Sequence, residues 1–160
     1  MHFNKTSYFL AVVLAAQGVV AGDVGDYIWD ITQYQAGLSH GNPADPTTSW
    51  YRFTVSGAVF GSLESETSVP AFGALCTGSG AGFPLSSEYS DCAMDATTGE
   101  SDATVSARIV PYADNTQAHI AINYVFSAAD GARNYTATAV TDWARLRPPY
   151  NFTLSPSEVL

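Results

Sequence analysis

The chain has 160 residues, and 15 aspartates and glutamates against 6 lysines and arginines give it a net charge of −9. This length fits one domain with a substantial core rather than two. A surface this acidic repels phosphate backbones and anionic lipid. The composition therefore argues against nucleic acids and membrane surfaces as partners and favours basic ones.

The first 21 residues have the features of a signal peptide. Lys5 stands in a short polar start, an apolar run extends from Tyr8 to Val20, and the small residue Ala21 precedes the predicted cleavage point. No later segment approaches the ~18 consecutive apolar residues of a membrane span. We expect a secreted, extracellular protein whose mature chain is residues 22–160; a membrane anchor formed by the same run is the alternative.

The mature sequence alternates between apolar and polar residues with a period of two, which is typical of β-strands. The predicted inward faces are Tyr27, Trp29 and Ile31; Tyr51, Phe53 and Val55; Ala103, Val105, Ala107 and Ile109; Ala118, Ile120, Ile122, Tyr124 and Phe126; Tyr135, Ala137 and Ala139; and Tyr150, Phe152 and Leu154. Turn-forming residues at 111–115 and 129–131 separate the later strands and predict hairpins. The pattern predicts an all-β fold, a single-domain antiparallel β-barrel or β-sandwich.

Two segments depart from this pattern. Residues 57–99 are rich in glycine, serine, threonine and glutamate, and we interpret them as irregular strands and loops. A short turn of helix is expected at Thr141–Arg147, the one such place in the mature chain.

Cys76 and Cys92 are the only cysteines of the chain. An even pair in an oxidising compartment is expected to form a disulfide, which for a loop of this length contributes roughly 3 kcal/mol. Two buried free thiols are the alternative.

Two sequons follow in the C-terminal half. Asn134-Tyr135-Thr136 and Asn151-Phe152-Thr153 are candidate N-glycosylation sites, provided that Asn134 and Asn151 face water.

Acidic residues are the first candidates for catalysis. They are Glu64 and Glu66 on one predicted strand, and Glu88, Asp91, Asp95, Glu100 and Asp102 around Cys92. Two carboxylates perform glycosidic acid–base chemistry only when they face each other across a cleft, whereas acids in so acidic a chain usually form a solvated rim. Residues 91–100 also lack the ligand spacing of a calcium-binding EF-hand loop.

Other catalytic and metal-binding patterns are missing from the sequence or lack their structural context. His40 and His119 are the only histidines of the mature chain and have no zinc-binding spacing. The pattern G-x-S-x-G occurs once, at Gly37-Leu38-Ser39-His40-Gly41, but the predicted all-β chain provides no helix after it, which the nucleophile turn of that motif requires. We therefore predict no catalytic residue, metal or cofactor, and expect a protein that is not an enzyme.

Aromatic side chains are the remaining candidates for ligand contact. Trp29, Trp50, Tyr51, Trp143 and Tyr150 could stack on sugars or flat phenolic compounds. Aromatic residues in strands more often lie in the core or at its rim. A carbohydrate-binding module would need a row of them exposed on one sheet face.

Several stretches resemble a family of fungal secreted proteins. Gly25-Asp26-Tyr27-Ile28-Trp29 resembles the opening strand of the Alternaria major allergen family, and Trp50–Val55 stands where that family has a second strand. Cys76 together with Tyr89-Ser90-Asp91-Cys92 resembles the family's first disulfide. The chain lacks the family's second disulfide and its N-terminal cysteine, so no disulfide-linked dimer is expected.

The resemblance implies an extracellular β-barrel protein that acts at a host interface as an effector, elicitor or allergen. It implies binding of host defence proteins or of a small phenolic ligand. We therefore expect a secreted, non-enzymatic, effector-like protein, with a basic host extracellular protein docking on Asp91, Asp95 and Glu100. A carbohydrate-binding module that uses Trp50 is the alternative, and a small hydrolase is the third hypothesis.

Overall fold

The two-residue alternation of the sequence corresponds to strands throughout the part of the chain that the structure describes. This computed structural model describes residues 22–23, 26–39, 48–61, 68–81, 88–96, 102–111, 117–142 and 145–159. The predicted signal peptide, residues 1–21, lies outside them, as do His40, Glu64, Glu66, Glu100 and Trp143. Within the described ranges no helix is long and apolar enough to cross a membrane.

Eleven strands lie in the described ranges. In chain order they are β1 (Gly22–Asp23), β2 (Trp29–Ser39), β3 (Thr48–Gly57), β4 (Phe72–Ala81), β5 (Ser90–Asp91), β6 (Ala93–Met94), β7 (Thr104–Pro111), β8 (Gln117–Ala128), β9 (Gly131–Asp142), β10 (Arg145–Leu154) and β11 (Ser157–Val159).

The strands form two antiparallel sheets. The six-stranded sheet has the order β1-β11-β9-β8-β7-β5, and the five-stranded sheet has the order β10-β2-β3-β4-β6. Each sheet ends on edge strands and the two are not closed into a barrel. The all-β prediction is confirmed, and of the two predicted architectures the molecule has the sandwich.

The core lies between the sheets and is made by the inward residue of each alternating pair. On β7 and β8 the predicted inward residues are buried, namely Val105, Ala107, Ile109, Ile120, Ile122, Tyr124 and Phe126. The ring of Phe72 on β4 stacks on that of Tyr124 on β8, with centroids 4.1 Å apart, and Trp29 on β2 packs edge-on against both. These three rings join the two sheets at the centre of the sandwich.

Cys76 and Cys92 form the predicted disulfide. Cys92 belongs to a segment, residues 88–96, that we call the strap. β5 pairs with β7 in the six-stranded sheet, and β6, two residues later, pairs with β4 in the five-stranded sheet. The backbone N–H of Cys92 donates to Val105 O (2.8 Å), and that of Asp95 donates to Gly73 O (2.8 Å). The strap thus closes one lateral side of the sandwich.

The interpretation of residues 57–99 as irregular is wrong for β4. This strand is a regular ten-residue interior strand, with Phe72, Ala74 and Cys76 facing the core. Its small residues hid the alternation, because an inward glycine carries no apolar signal. Gly78 is one of these small residues: a Cβ there would overlap Cε1 of Tyr51, so only glycine leaves room for that ring.

Two further predictions are corrected at the C-terminal strands. The short helical turn expected at Thr141–Arg147 is wrong, since β9 continues to Asp142 and β10 begins at Arg145. Pairing with β8 and β2 along one side of each strand outweighs the weak local preference for a helical turn. Tyr150 was expected to face inward into the core and is instead 39% exposed, because β10 borders an open gap between the sheets there.

A β-bulge interrupts β2. Thr32 pairs with Thr54 and Gln35 with Arg52, so that Gln33 and Tyr34 together face one residue of β3. Gln33 has a φ of 56°, in the left-handed region. The extra residue resets the alternation, which keeps both Ile31 and Tyr34 buried.

The alternation on β7 and β8 predicts that truncating an inward side chain lowers the free energy of unfolding more than truncating an outward one. Ile122 is fully buried, so Ile122→Ala should lower the free energy of unfolding by about 2–5 kcal/mol because it leaves a cavity. Thr104→Ala on the exposed face of β7 is the control and should change it by less than about 0.5 kcal/mol. Denaturant unfolding measures both, and equal losses would mean that the register is wrong.

Candidate ligand-binding cleft

A cleft opens between the sheets on the side of the sandwich away from the strap. Gln117 and the end of β9, Ala139–Thr141, form one wall; Tyr150, Phe152 and Thr153 of β10 form the other. β11 pairs with β9 only at Asn134–Thr136, so the later part of β9 has no further strand beside it among the described residues. The cleft has a volume of about 290 Å³.

Two stacked rings form the β10 wall. Tyr150 and Phe152 are two residues apart on one strand and therefore lie on the same face, with ring centroids 5.3 Å apart and planes 27° from parallel. Phe152 in turn contacts the buried ring of Tyr34 edge-on at 5.8 Å. The aromatic wall is thus supported from behind by the core.

Thr141 supplies a buried polar group on the opposite wall. It is 7% exposed, and its Oγ1 is buried with no hydrogen-bond partner among the described residues. A buried hydroxyl without a partner costs about 1–3 kcal/mol. A ligand atom that pairs with this oxygen would recover part of that cost.

The other described residues of the lining are uncharged. No aspartate, glutamate, lysine or arginine is among the described residues that line the cleft. Val140, which is 51% exposed, and Ala139 add apolar surface beside Thr141. In an acidic protein, this cleft suits an uncharged ligand.

Away from the cleft, Arg133 neutralises part of the negative charge of the protein. Arg133 Nη2 lies 2.7 Å from Asp130 Oδ2, and its Nη1 lies 3.5 Å from Glu158 Oε1. The hydrogen bond from Arg133 lowers the pKa of Asp130 below its usual value. The same pairing raises the pKa of Arg133.

The acidic residues of the strap remain exposed. Glu88, Asp91 and Asp95 all face water, and Asp102 lies just before β7, also exposed. Glu100, the third acid of the predicted contact patch, lies outside the described residues. The strap therefore presents Asp91 and Asp95 on one segment that is bound to both sheets and to Cys76.

The other described residues predicted to contact a ligand lie neither in the cleft nor on the strap. Trp50 is half-buried on the outer face of the five-stranded sheet, where its neighbours across β2 and β4 are Gly37 and Ser79. Trp29 is fully buried in the core, and Tyr51 is 5% exposed and borders only a small pocket of about 40 Å³ beside the strap.

The described ranges hold no cluster of three or more histidine, cysteine, aspartate or glutamate residues that could bind a metal. His119 is exposed on β8, on the face opposite the core.

Sequence reasoning named Tyr150 as a stacking residue but missed its partners in the cleft, Phe152 and Thr141. One signal for Thr141 was present: it continues the inward series of Tyr135, Ala137 and Ala139, so a polar residue occupies an inward position. The gap itself depends on how two strands from different sheets meet, which the alternation does not encode.

Comparison of the chain with known protein families, with characterised proteins and with solved structures finds no match. The resemblance to the Alternaria major allergen family therefore stays a prediction. The cleft and the strap are the two features of the structure that bear on function.

The buried hydroxyl of Thr141 can be tested by isosteric replacement. Thr141→Val keeps the shape of the side chain and removes the oxygen, so the free energy of unfolding of the ligand-free protein should rise by about 1 kcal/mol. Thr138→Val, at an exposed position of the same strand, is the matched control and should change it by less than about 0.5 kcal/mol. Destabilisation by Thr141→Val would mean that the hydroxyl already has a partner.

Proposed function

We propose that the protein is a secreted, non-enzymatic, effector-like binding protein whose cleft takes a small, planar phenolic ligand. The carrying observation is the arrangement of the two walls: stacked rings on β10 opposite the buried Thr141 hydroxyl. The Cys76–Cys92 disulfide supports secretion, because such bonds persist in oxidising compartments.

The ligand class follows from the lining. A flat aromatic ring gains contact and stacking energy on the faces or edges of Tyr150 and Phe152. Rotation of the Thr141 side chain to another staggered rotamer would turn its buried hydroxyl towards the cleft, where a phenolic O–H can donate to Oγ1 and a phenolic oxygen can accept from it. At about 290 Å³ the cleft is at the lower end of the usual size of ligand pockets, which suits compounds of one or two rings.

Three probe compounds separate these contributions. 2-Naphthol is planar and carries a phenolic hydroxyl, naphthalene lacks the hydroxyl, and decahydro-2-naphthol keeps a hydroxyl but is not planar. We expect 2-naphthol to bind most tightly in calorimetric titrations. Thr141→Val should weaken 2-naphthol to near the affinity of naphthalene and leave naphthalene unchanged, and Phe152→Leu should weaken both planar compounds by roughly 3- to 10-fold.

Thr138→Val is the control and should bind all three as the unmodified protein does. Equal affinity for the three probes would contradict recognition by stacking and hydrogen bonding. Unchanged 2-naphthol binding in both Thr141→Val and Phe152→Leu would place the ligand elsewhere.

A basic host extracellular protein is the second candidate partner, and the strap favours it. Asp91 and Asp95 are exposed on a segment fixed at both sheets, so their charges are held in place before binding. Charges arranged in this way mainly accelerate association and act less on dissociation.

Neutralising the strap tests this candidate. The variant Asp91→Asn/Asp95→Asn should slow association with basic proteins of host extracellular fluid and flatten the salt dependence of the rate, without a large change in melting temperature. Asp26→Asn/Asp30→Asn, two exposed acids outside the strap, is a matched control for removing acidic charge and should have a smaller effect. If both variants slow association equally, overall charge rather than the strap is responsible.

The two alternatives receive less support from the described residues. On the described outer face of the five-stranded sheet, Trp50 is the one aromatic side chain and is half-buried, whereas a carbohydrate-binding module needs a row of exposed ones. A hydrolase needs facing carboxylates in a cleft, and the described residues that line this cleft include none.

A further inference from the structure

The edge strands of the two sheets differ greatly in length. β1, β5 and β6 each have two residues, whereas β10, at one edge of the five-stranded sheet, has ten. A long edge strand presents unpaired N–H and C=O groups to which a second chain can add. In the described ranges β4 after Leu75 and the later part of β9 also lack an outer strand partner, but Cys76 of β4 is bonded to the strap and β9 lies across the cleft from β10.

Two prolines protect the first half of β10 against the addition of another strand, and the second half has no such protection. Pro148 and Pro149 have no N–H and so cannot donate to an added strand. The residues after Tyr150 have no proline until Pro156, beyond the strand end. The sequon Asn151-Phe152-Thr153 stands in this second half.

The structure orients Asn151 for modification. Both Asn151 and Thr153 are exposed, while Phe152 between them faces the cleft. Asn151 Oδ1 accepts a hydrogen bond of 2.9 Å from the backbone N–H of Gln33, the bulge residue of β2. This contact fixes the amide group through its oxygen, and the nitrogen that carries an N-linked glycan is the other amide atom.

The second sequon is in a different environment. Asn134 lies in β9 between Val125 of β8 and Val159 of β11, and it is only partly exposed. Its Oδ1 is buried, and Thr136 is also partly buried. The amide group of Asn134 is thus packed against the sheet through its oxygen, and Asn134 is less accessible than Asn151.

We propose that Asn151 is the N-glycosylated residue, that Asn134 stays unmodified in the folded protein, and that the glycan shields the open edge of β10. The inference rests on the secretion part of the proposed function. In the reaction, Asn151 Nδ2 bonds to the anomeric carbon of an oligosaccharide carried on a polyprenyl diphosphate. The bond from that carbon to the diphosphate breaks, and the amide loses one proton.

Site occupancy is measured on the full chain secreted by a eukaryotic host. Amidase release of N-glycans converts each modified asparagine to aspartate, and peptide mass mapping then identifies the position. We expect conversion at Asn151 and none at Asn134. An unmodified Asn151, or a glycan on Asn134, overturns the proposal.

A second arm keeps this test separate from the test of secretion. If the full chain does not reach the medium, a leader of the host placed before Gly22 directs the same domain into the secretory pathway. Failure of the native leader counts against secretion, whereas an unmodified Asn151 in protein secreted by either leader counts against the glycan assignment.

Shielding is tested with sequon variants that leave both asparagines in place. Thr153→Ala removes the Asn151 sequon and retains the bond to Gln33, Thr136→Ala is the matched change at the other sequon, and Thr153→Ser keeps the Asn151 sequon intact. Light scattering should show self-association of Thr153→Ala only. A monomeric Thr153→Ala, at concentrations where the other variants are also monomeric, overturns the shielding role.

Discussion

The stack of Phe72 on Tyr124, with Trp29 against both, is the contact on which the sandwich depends. It is the place where large side chains of the two sheets meet face to face, and every strand that carries a ring of this group places it inward by alternation. The ring of Tyr27 lies edge-on to that of Trp29 at 6.3 Å, and its burial raises the pKa of Tyr27 to about 12.

Because these rings hold the sheets together, the sandwich can be closed along one lateral side and open along the other. On one side the strap crosses between the sheets and the disulfide fixes it to β4. On the other side the later part of β9 and residues 150–153 of β10 belong to different sheets, and the cleft separates them. The closed side displays acidic residues, and the described lining of the open side is uncharged and partly aromatic, so the two proposed partners would meet two separate surfaces.

The sequence predicted those parts of this fold that depend on local alternation. The inward residues of β3, β7 and β8 were identified correctly, because each strand has a run of large apolar residues at every second position. β4 was missed, since glycine and alanine fill inward positions where Tyr51 and other rings need room. The bulge at Gln33 was also missed: it appears in the sequence only as two adjacent polar residues before Tyr34.

The candidate site was less predictable than the core for a physical reason. A core position is defined by its own strand, whereas the cleft requires Thr141 and Phe152 to meet across a gap between sheets. Tyr150 illustrates the difference: its alternation with Phe152 and Leu154 is regular, and yet its exposure depends on how far β9 extends opposite it. Sequence reasoning can therefore assign a residue to a face of a strand, but not determine whether that face is covered.

β10 carries both the aromatic wall of the cleft and the proposed glycan site. The two-residue alternation of a strand allows both. Tyr150 and Phe152 lie on one face of the strand, towards the cleft, while Asn151 lies on the other and contacts the bulge of β2. A glycan on Asn151 would therefore extend from the face opposite the aromatic wall, and the bulge would keep the amide group turned away from the cleft. The same strand can thus bind a ligand on one face and carry a shield for its exposed edge on the other, because successive side chains point in opposite directions.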